Sequence, residues 1–150
     1  MNELKTKILK QLLALQADRI DELLLYQSDL SDALQSESKS TAGDKHDTIR
    51  AMIHLEQEKL QHQFQEMQLQ LQRLREISEL NPLEQANFGA LVETTSDLFV
   101  LGASLGKQVV DGRVIYCIGM EAPIAQAMLS KVIGDQLHFN GKVTEIIAVS

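Results

Sequence analysis

Cysteine is nearly absent from this chain of 150 residues: Cys117 is its single copy, set in the apolar run Val114-Ile115-Tyr116-Cys117-Ile118. A disulfide framework within one chain is thereby excluded, and the residue reads as a buried, reduced thiol. No run of Lys or Arg occurs, and the formal charge is −7. Binding to a nucleic-acid backbone depends on clustered cations, so autonomous nucleic-acid binding is not expected; an acidic chain looks for protein or metal partners. Long apolar runs are also missing: nothing approaches the about 20 residues of a membrane span. The start, Met1-Asn2-Glu3-Leu4-Lys5, leads into no apolar core of signal-peptide length, so the expected compartment is the cytoplasm.

Glycine and proline are scarce in one half only. Seven of the eight glycines lie between Gly89 and Gly141, both prolines (Pro82 and Pro123) share that half, and Gly43 alone interrupts the stretch from Met1 to Asn81. The shift in composition places a boundary near Asn81-Pro82, dividing a helical segment over residues 1–80 from a glycine-punctuated domain over 81–150. Motifs of self-contained catalysis are lacking: there is no G-x-S-x-G, P-loop, H-E-x-x-H or paired C-x-x-C, and the chain is not expected to be an enzyme in its own right.

Helical periodicity fills the first eighty residues. Leu4, Ile8, Leu12, Leu15, Ile20, Leu23, Leu30 and Leu34 follow one another mostly in steps of three and four, as one face of a helix requires. Beyond Gly43, Ile53, Leu60, Met67 and Leu74 repeat every seven residues, with Phe64 and Leu71 four residues after Leu60 and Met67. That is a coiled-coil seam, interrupted at Gln57. The small polar segment Gln35–Ala42 is the expected bend, and two antiparallel helices joined there would bury their stripes against each other. The hairpin predicts a monomer; the same Gln-rich helices with an apolar seam would also suit a coiled-coil interaction or dimerisation module.

Asp44 and Asp47 stand i, i+3 at the expected first turn of the second helix, so both fall on one side of it. Aspartate is favoured there as a cap and by the helix dipole. Two exposed carboxylates can also share a hard divalent cation, although Mg²⁺ needs further ligands from elsewhere. His46 reads as a polar residue of the helix start, and His54 and His62, eight residues apart, lack the i, i+4 spacing of a metal pair.

After Pro82, short apolar runs alternate with turn signals. Ala90–Thr94 and Leu98–Leu101 are predicted strands, and Val109-Val110 and Arg113–Ile118 flank the hairpin signal Asp111-Gly112. Pro123 opens a short helix through Lys131, and Asn140-Gly141 turns the chain between two last strands. The expectation is α+β: a helical hairpin followed by a small antiparallel sheet with one helix packed on it.

The segment Gly43-Asp44-Lys45-His46-Asp47 resembles the tip of the bacterial GreA/GreB transcript-cleavage factors, whose pattern there is G-D, two residues, then E-N-A-E-Y. Asp44 falls on its aspartate and Asp47 on its glutamate. The stretch from Glu121 to Asp135, with Ala122-Pro123-Ile124 and Gly134-Asp135, is similar to the family's S-P-[IL] to G-K-x-x-G-D stretch, and Gly141–Val149 to its final strand. With the hairpin, the resemblance covers nearly the whole chain. It implies an FKBP-like second domain and a transcription elongation factor that binds RNA polymerase. On that resemblance the coiled coil would enter the secondary channel, Asp44 and Asp47 would help hold a Mg²⁺ that the polymerase supplies, and a backtracked transcript, touched only indirectly, would be cut by the polymerase itself. The metal lowers the pKa of its bound water and stabilises developing phosphoryl charge. The chain departs from the pattern at Thr48-Ile49-Arg50-Ala51, and Asp47 is one methylene shorter than glutamate, which leaves open a channel-binding regulator that does not stimulate cleavage. Prolyl isomerases of the FKBP fold use an aromatic pocket, and Phe88, Phe99, Tyr116 and Phe139 are all the aromatic residues this half has.

Overall fold

A computed structural model describes residues 2–38 and 44–150. The element order is α1 (Glu3–Ser38), α2 (Asp44–Ser78), β1 (Leu91–Thr94), β2 (Leu98–Leu101), β3 (Gly106–Val110), β4 (Arg113–Ile118), α3 (Pro123–Met128), β5 (Gln136–Phe139) and β6 (Lys142–Val149). Of the expected bend Gln35–Ala42, the part up to Ser38 is helical, because Gln-Ser-Glu-Ser contains no residue that breaks a helix. The remainder, with Gly43, lies outside the described residues.

The chain forms two compact units, one made of Met1–Ala14 with Gln70–Ser150 and the other of Leu15–Leu69. Both long helices contribute to both, so the division runs through α1 and α2.

In the first unit, the sheet has the order β3-β4-β2-β1-β6-β5. All neighbouring strands are antiparallel except β2 and β4, which run parallel with Phe99 beside Tyr116 and Leu101 beside Ile118. The all-antiparallel expectation is therefore corrected to a mixed sheet. The reason lies in the connection after β2: the chain passes the neighbouring position, builds β3 at the edge, and returns as β4 through Asp111-Gly112. Gly102 allows that exit, at φ +118 and with the Phe88 ring 2.6 Å from where a Cβ would stand. Asp111 and Gly112, at φ 50 and 76, and Asn140 and Gly141, at φ 50 and 74, make two-residue hairpin turns with positive φ at both central positions.

Both faces of the sheet are covered. On one, Ile8, Leu9 and Leu12 of α1 and Leu74 and Ile77 of α2 pack on Leu91, Leu98, Val100, Ile115 and Cys117. On the other, Ala125 and Met128 of α3 pack with Val92, Phe99, Leu101, Leu137 and Ile146. All four residues of β2 are buried in consequence, as suits a central strand with an apolar layer on each side. Helix α3 ends at Met128 rather than at Lys131. Ser130 takes φ 65 and its N–H donates to the carbonyl of Ala86 at 2.8 Å, drawing the chain out of the helix.

Two polar links join α1 to the sheet. Asp111, in the β3–β4 turn, accepts from Lys7 Nζ at 2.6 Å and from Gln11 Nε2 at 3.1 Å, which together hold its carboxyl below the ordinary range. Lys5 differs from its neighbours: it is only 3% exposed, and its Nζ has no hydrogen-bond partner. Burial pushes the ammonium below the ordinary lysine value of 10.5. Below its folded-state pKa it is charged in both states and the cost of burial is present in full. As pH rises from there towards 10.5, the unfolded chain holds the extra proton, so stability increases with pH. We expect Lys5→Met to raise stability at neutral pH by about 1–3 kcal/mol and to flatten that alkaline rise, as urea melts at pH 7 and 10 will report.

In the second unit, the two helices run antiparallel: Gln16 Nε2 donates to the Met67 carbonyl at 3.0 Å, and Gln57 Nε2 to Ser31 Oγ at 3.5 Å. The predicted seam is present but more polar than the pattern suggested. Gln16 (3% exposed), Ile20 (8%), Leu23 (9%) and Leu60 (3%) are the buried positions, while Leu15, Leu30, Leu34, Ile53, Phe64 and Met67 are half-buried. Where Leu71 was expected to complete the stripe, it is half-buried and Gln70 beside it is buried, accepting the Ser104 N–H at 2.7 Å within the first unit. From 24 to 36 and from 45 to 59 no described residue is buried. Hydrogen exchange will therefore be faster over those two stretches than over 60–78, because few apolar contacts oppose local opening there.

Candidate functional site

Helix α2 starts at Asp44, three residues before Asp47, so the positions singled out in the sequence share its first turn. Asp47 is exposed. The side chain of Asp44 lies outside the described residues. A carboxylate in the first turn meets the free N–H groups and the positive end of the dipole, which explains why aspartate is favoured there.

His46, between the two aspartates, is half-buried. Counting back by sevens from Leu74, Met67, Leu60 and Ile53 reaches residue 46, so His46 occupies the seam position and Asp47 the next one outward. His54 and His62 are exposed. Among the described residues no three of His, Cys, Asp and Glu gather where they could hold a metal ion. Two carboxylates fall short of the six oxygen ligands that octahedral Mg²⁺ takes, so any cation at α2 would be shared with another molecule.

The sheet unit has a concavity that sequence reasoning missed. It holds about 260 Å³, with Phe99, Ile124, Leu137 and Phe139 as an apolar floor and Thr94, Ser96, Asp97 and Lys142 among the polar residues around it. The β1–β2 turn makes one wall firm: Thr94 Oγ1 accepts the Asp97 N–H at 3.0 Å, and Ser96 Oγ donates to Asp97 Oδ2 at 2.9 Å. At that volume it has room for one or two apolar side chains but not for a large cofactor. The signal that could have found it is the alternation of Leu137 and Phe139 on one face of β5 before the Asn140-Gly141 turn, but the floor needs β2 and α3 as well, which are distant in sequence.

Charge is unevenly distributed. Between Leu15 and Leu69 the sequence has 5 basic and 11 acidic residues, a formal −6 of the chain's −7. No helix among the described residues is long and apolar enough to cross a membrane. Comparison with protein-family models, with characterised proteins and with solved structures found no match.

Proposed function

We propose that the chain is a cytoplasmic RNA polymerase-binding elongation factor of the Gre type. It would act as a monomer, inserting the Asp44–Asp47 end of its helical hairpin into the secondary channel. The sheet unit, which we take to be FKBP-like, serves as the dock, with the Phe99–Phe139 cleft as the place where it grips. The observation that carries this reading is the exposed Asp47 in the first turn of a helix paired antiparallel with α1, three residues after Asp44 at the helix's first position. The concentration of negative charge in the hairpin unit agrees with a role at a cation.

The chemistry asked of the chain is limited to placing carboxylates. The metal belongs to the polymerase; Asp44 and Asp47 complete its coordination or orient its water, and the polymerase cuts the transcript. A second reading has one observation in its favour: Asp47 is one methylene shorter than the glutamate of the resemblance, so the chain would occupy the channel and regulate polymerase without promoting cleavage.

Backtracked complexes made with the polymerase of the same organism test the proposal. Wild-type chain will compete with a known channel factor and accelerate cleavage, and Asp44→Asn will bind equally while losing acceleration. Failure to compete removes the proposal; competition without acceleration selects the second reading.

A further inference from the structure

The end of the hairpin unit that has no buried residue among those described has a groove instead. Between α1 and α2, Tyr26, Leu30, Ile49, Met52, Ile53 and Glu56 line an open depression of about 350 Å³. Three of these are large apolar side chains left to solvent: Tyr26 is 46% exposed, Ile49 40% and Met52 64%. Exposed apolar groups grouped in this way mark an interaction surface more often than scattered ones do. A two-helix unit has no third layer to cover them.

We propose that this groove is a contact site for a basic protein surface, which sets an apolar side chain between Tyr26 and Met52 and Lys or Arg side chains against the acidic flank of α1. The partner's sign follows from the charges. From Leu15 to Ser36, α1 has Asp18, Asp21, Glu22, Asp29 and Asp32 against Arg19 alone, while α2 from Lys45 to Lys59 is balanced, with Lys45, Arg50 and Lys59 against Asp47, Glu56 and Glu58, so the negative excess lies on the α1 side. A second copy of the chain would bring two units of −6 together, a repulsion that works against closing an apolar contact. A basic surface gains from both terms: long-range attraction speeds encounter, and the apolar insertion slows release. Tyr and Met suit such a contact, Tyr as a rigid anchor with a polar tip and Met as an adaptable filler.

The inference rests on the reading given above, in which the partner is RNA polymerase, and places a second grip on the channel wall. Binding kinetics to the polymerase test it with three variants of the full chain. The double variant Tyr26→Gln, Met52→Gln alters only exposed positions; its circular dichroism melt will match wild type, its dissociation will be at least tenfold faster, and its association unchanged. Asp29→Asn with Asp32→Asn will do the reverse, slowing association and flattening its salt dependence. Met52→Leu will retain wild-type kinetics. If the wild-type chain binds and the double variant dissociates at the same rate, the groove is overturned and the channel reading stands. A wild-type chain that does not compete with a known channel factor overturns both. Dimers in sedimentation that the double variant converts to monomers assign the groove to a second copy and overturn the proposal.

Discussion

Leu60→Asp will unfold the hairpin unit over Leu15–Leu69 while the sheet unit remains folded. Leu60 is 3% exposed, and the register set by Gln16 and Met67 brings it level with Leu23, one heptad along each helix. Those two leucines, with Ile20 and Gln16, are the buried positions among the described residues of that unit. Each buried leucine contributes about 1.5–3 kcal/mol, and an unpaired charge in its place adds a desolvation cost of several kcal/mol more. A seam with so few buried positions has nothing to offset that loss. Leu12 and Leu74, both 0% exposed, belong instead to the core beneath the sheet, so the first unit keeps its packing. Far-UV circular dichroism will show helix lost before heating begins, and amide spectra will retain the dispersed peaks of β1 to β6. Native helicity in the variant would show that the seam does not hold the unit together.

Under the proposed function, Asp47→Asn will lower stimulated transcript cleavage by about 100-fold, the range seen when one group that stabilises transition-state charge is removed. Polymerase binding will stay within about threefold of wild type, because asparagine keeps the shape and remains compatible with a helix first turn. Asp47→Glu extends the carboxylate by one methylene and will raise cleavage above wild type if reach limits the native residue. Equal cleavage by wild type, Asp47→Asn and Asp47→Glu would remove Asp47 from the chemistry and leave a channel-occupying regulator.

The long helices were legible because local chemistry decides them: α1 and α2 contain good helix formers at a 3.6-residue period with no Gly or Pro between Asn2 and Ser38 or between Asp44 and Ser78. Asp111-Gly112 and Asn140-Gly141 were equally plain, since both central positions of such turns need positive φ. Long-range pairing was not. That β4 lies parallel to β2 depends on where the Gly102–Leu105 connection sends the chain, which neither strand's composition encodes. Met128 as the end of α3 depends likewise on an Ala86 carbonyl far away in sequence. Lys5 looked like any solvated lysine near a helix start; its burial follows from lying on the same stripe as Ile8, Leu9 and Leu12, and from the stripe's packing on the sheet. The candidate site divides in the same way. Asp44 and Asp47 were singled out by the Gre resemblance, their spacing alone being that of an ordinary helix start, whereas the Phe99–Phe139 cleft and the Tyr26–Met52 groove need elements brought together by the fold.

Localised radical cleavage tests the central claim most directly. With Fe²⁺ replacing Mg²⁺ in the polymerase active centre, hydroxyl radicals form at the metal and cut whatever polypeptide lies beside it. The chain will be cut around residues 44–47, and an excess of a known channel factor will abolish the cut. A chain that binds polymerase yet is cut nowhere, or is cut only between Leu91 and Val149, would contradict the claim that these carboxylates meet the catalytic metal.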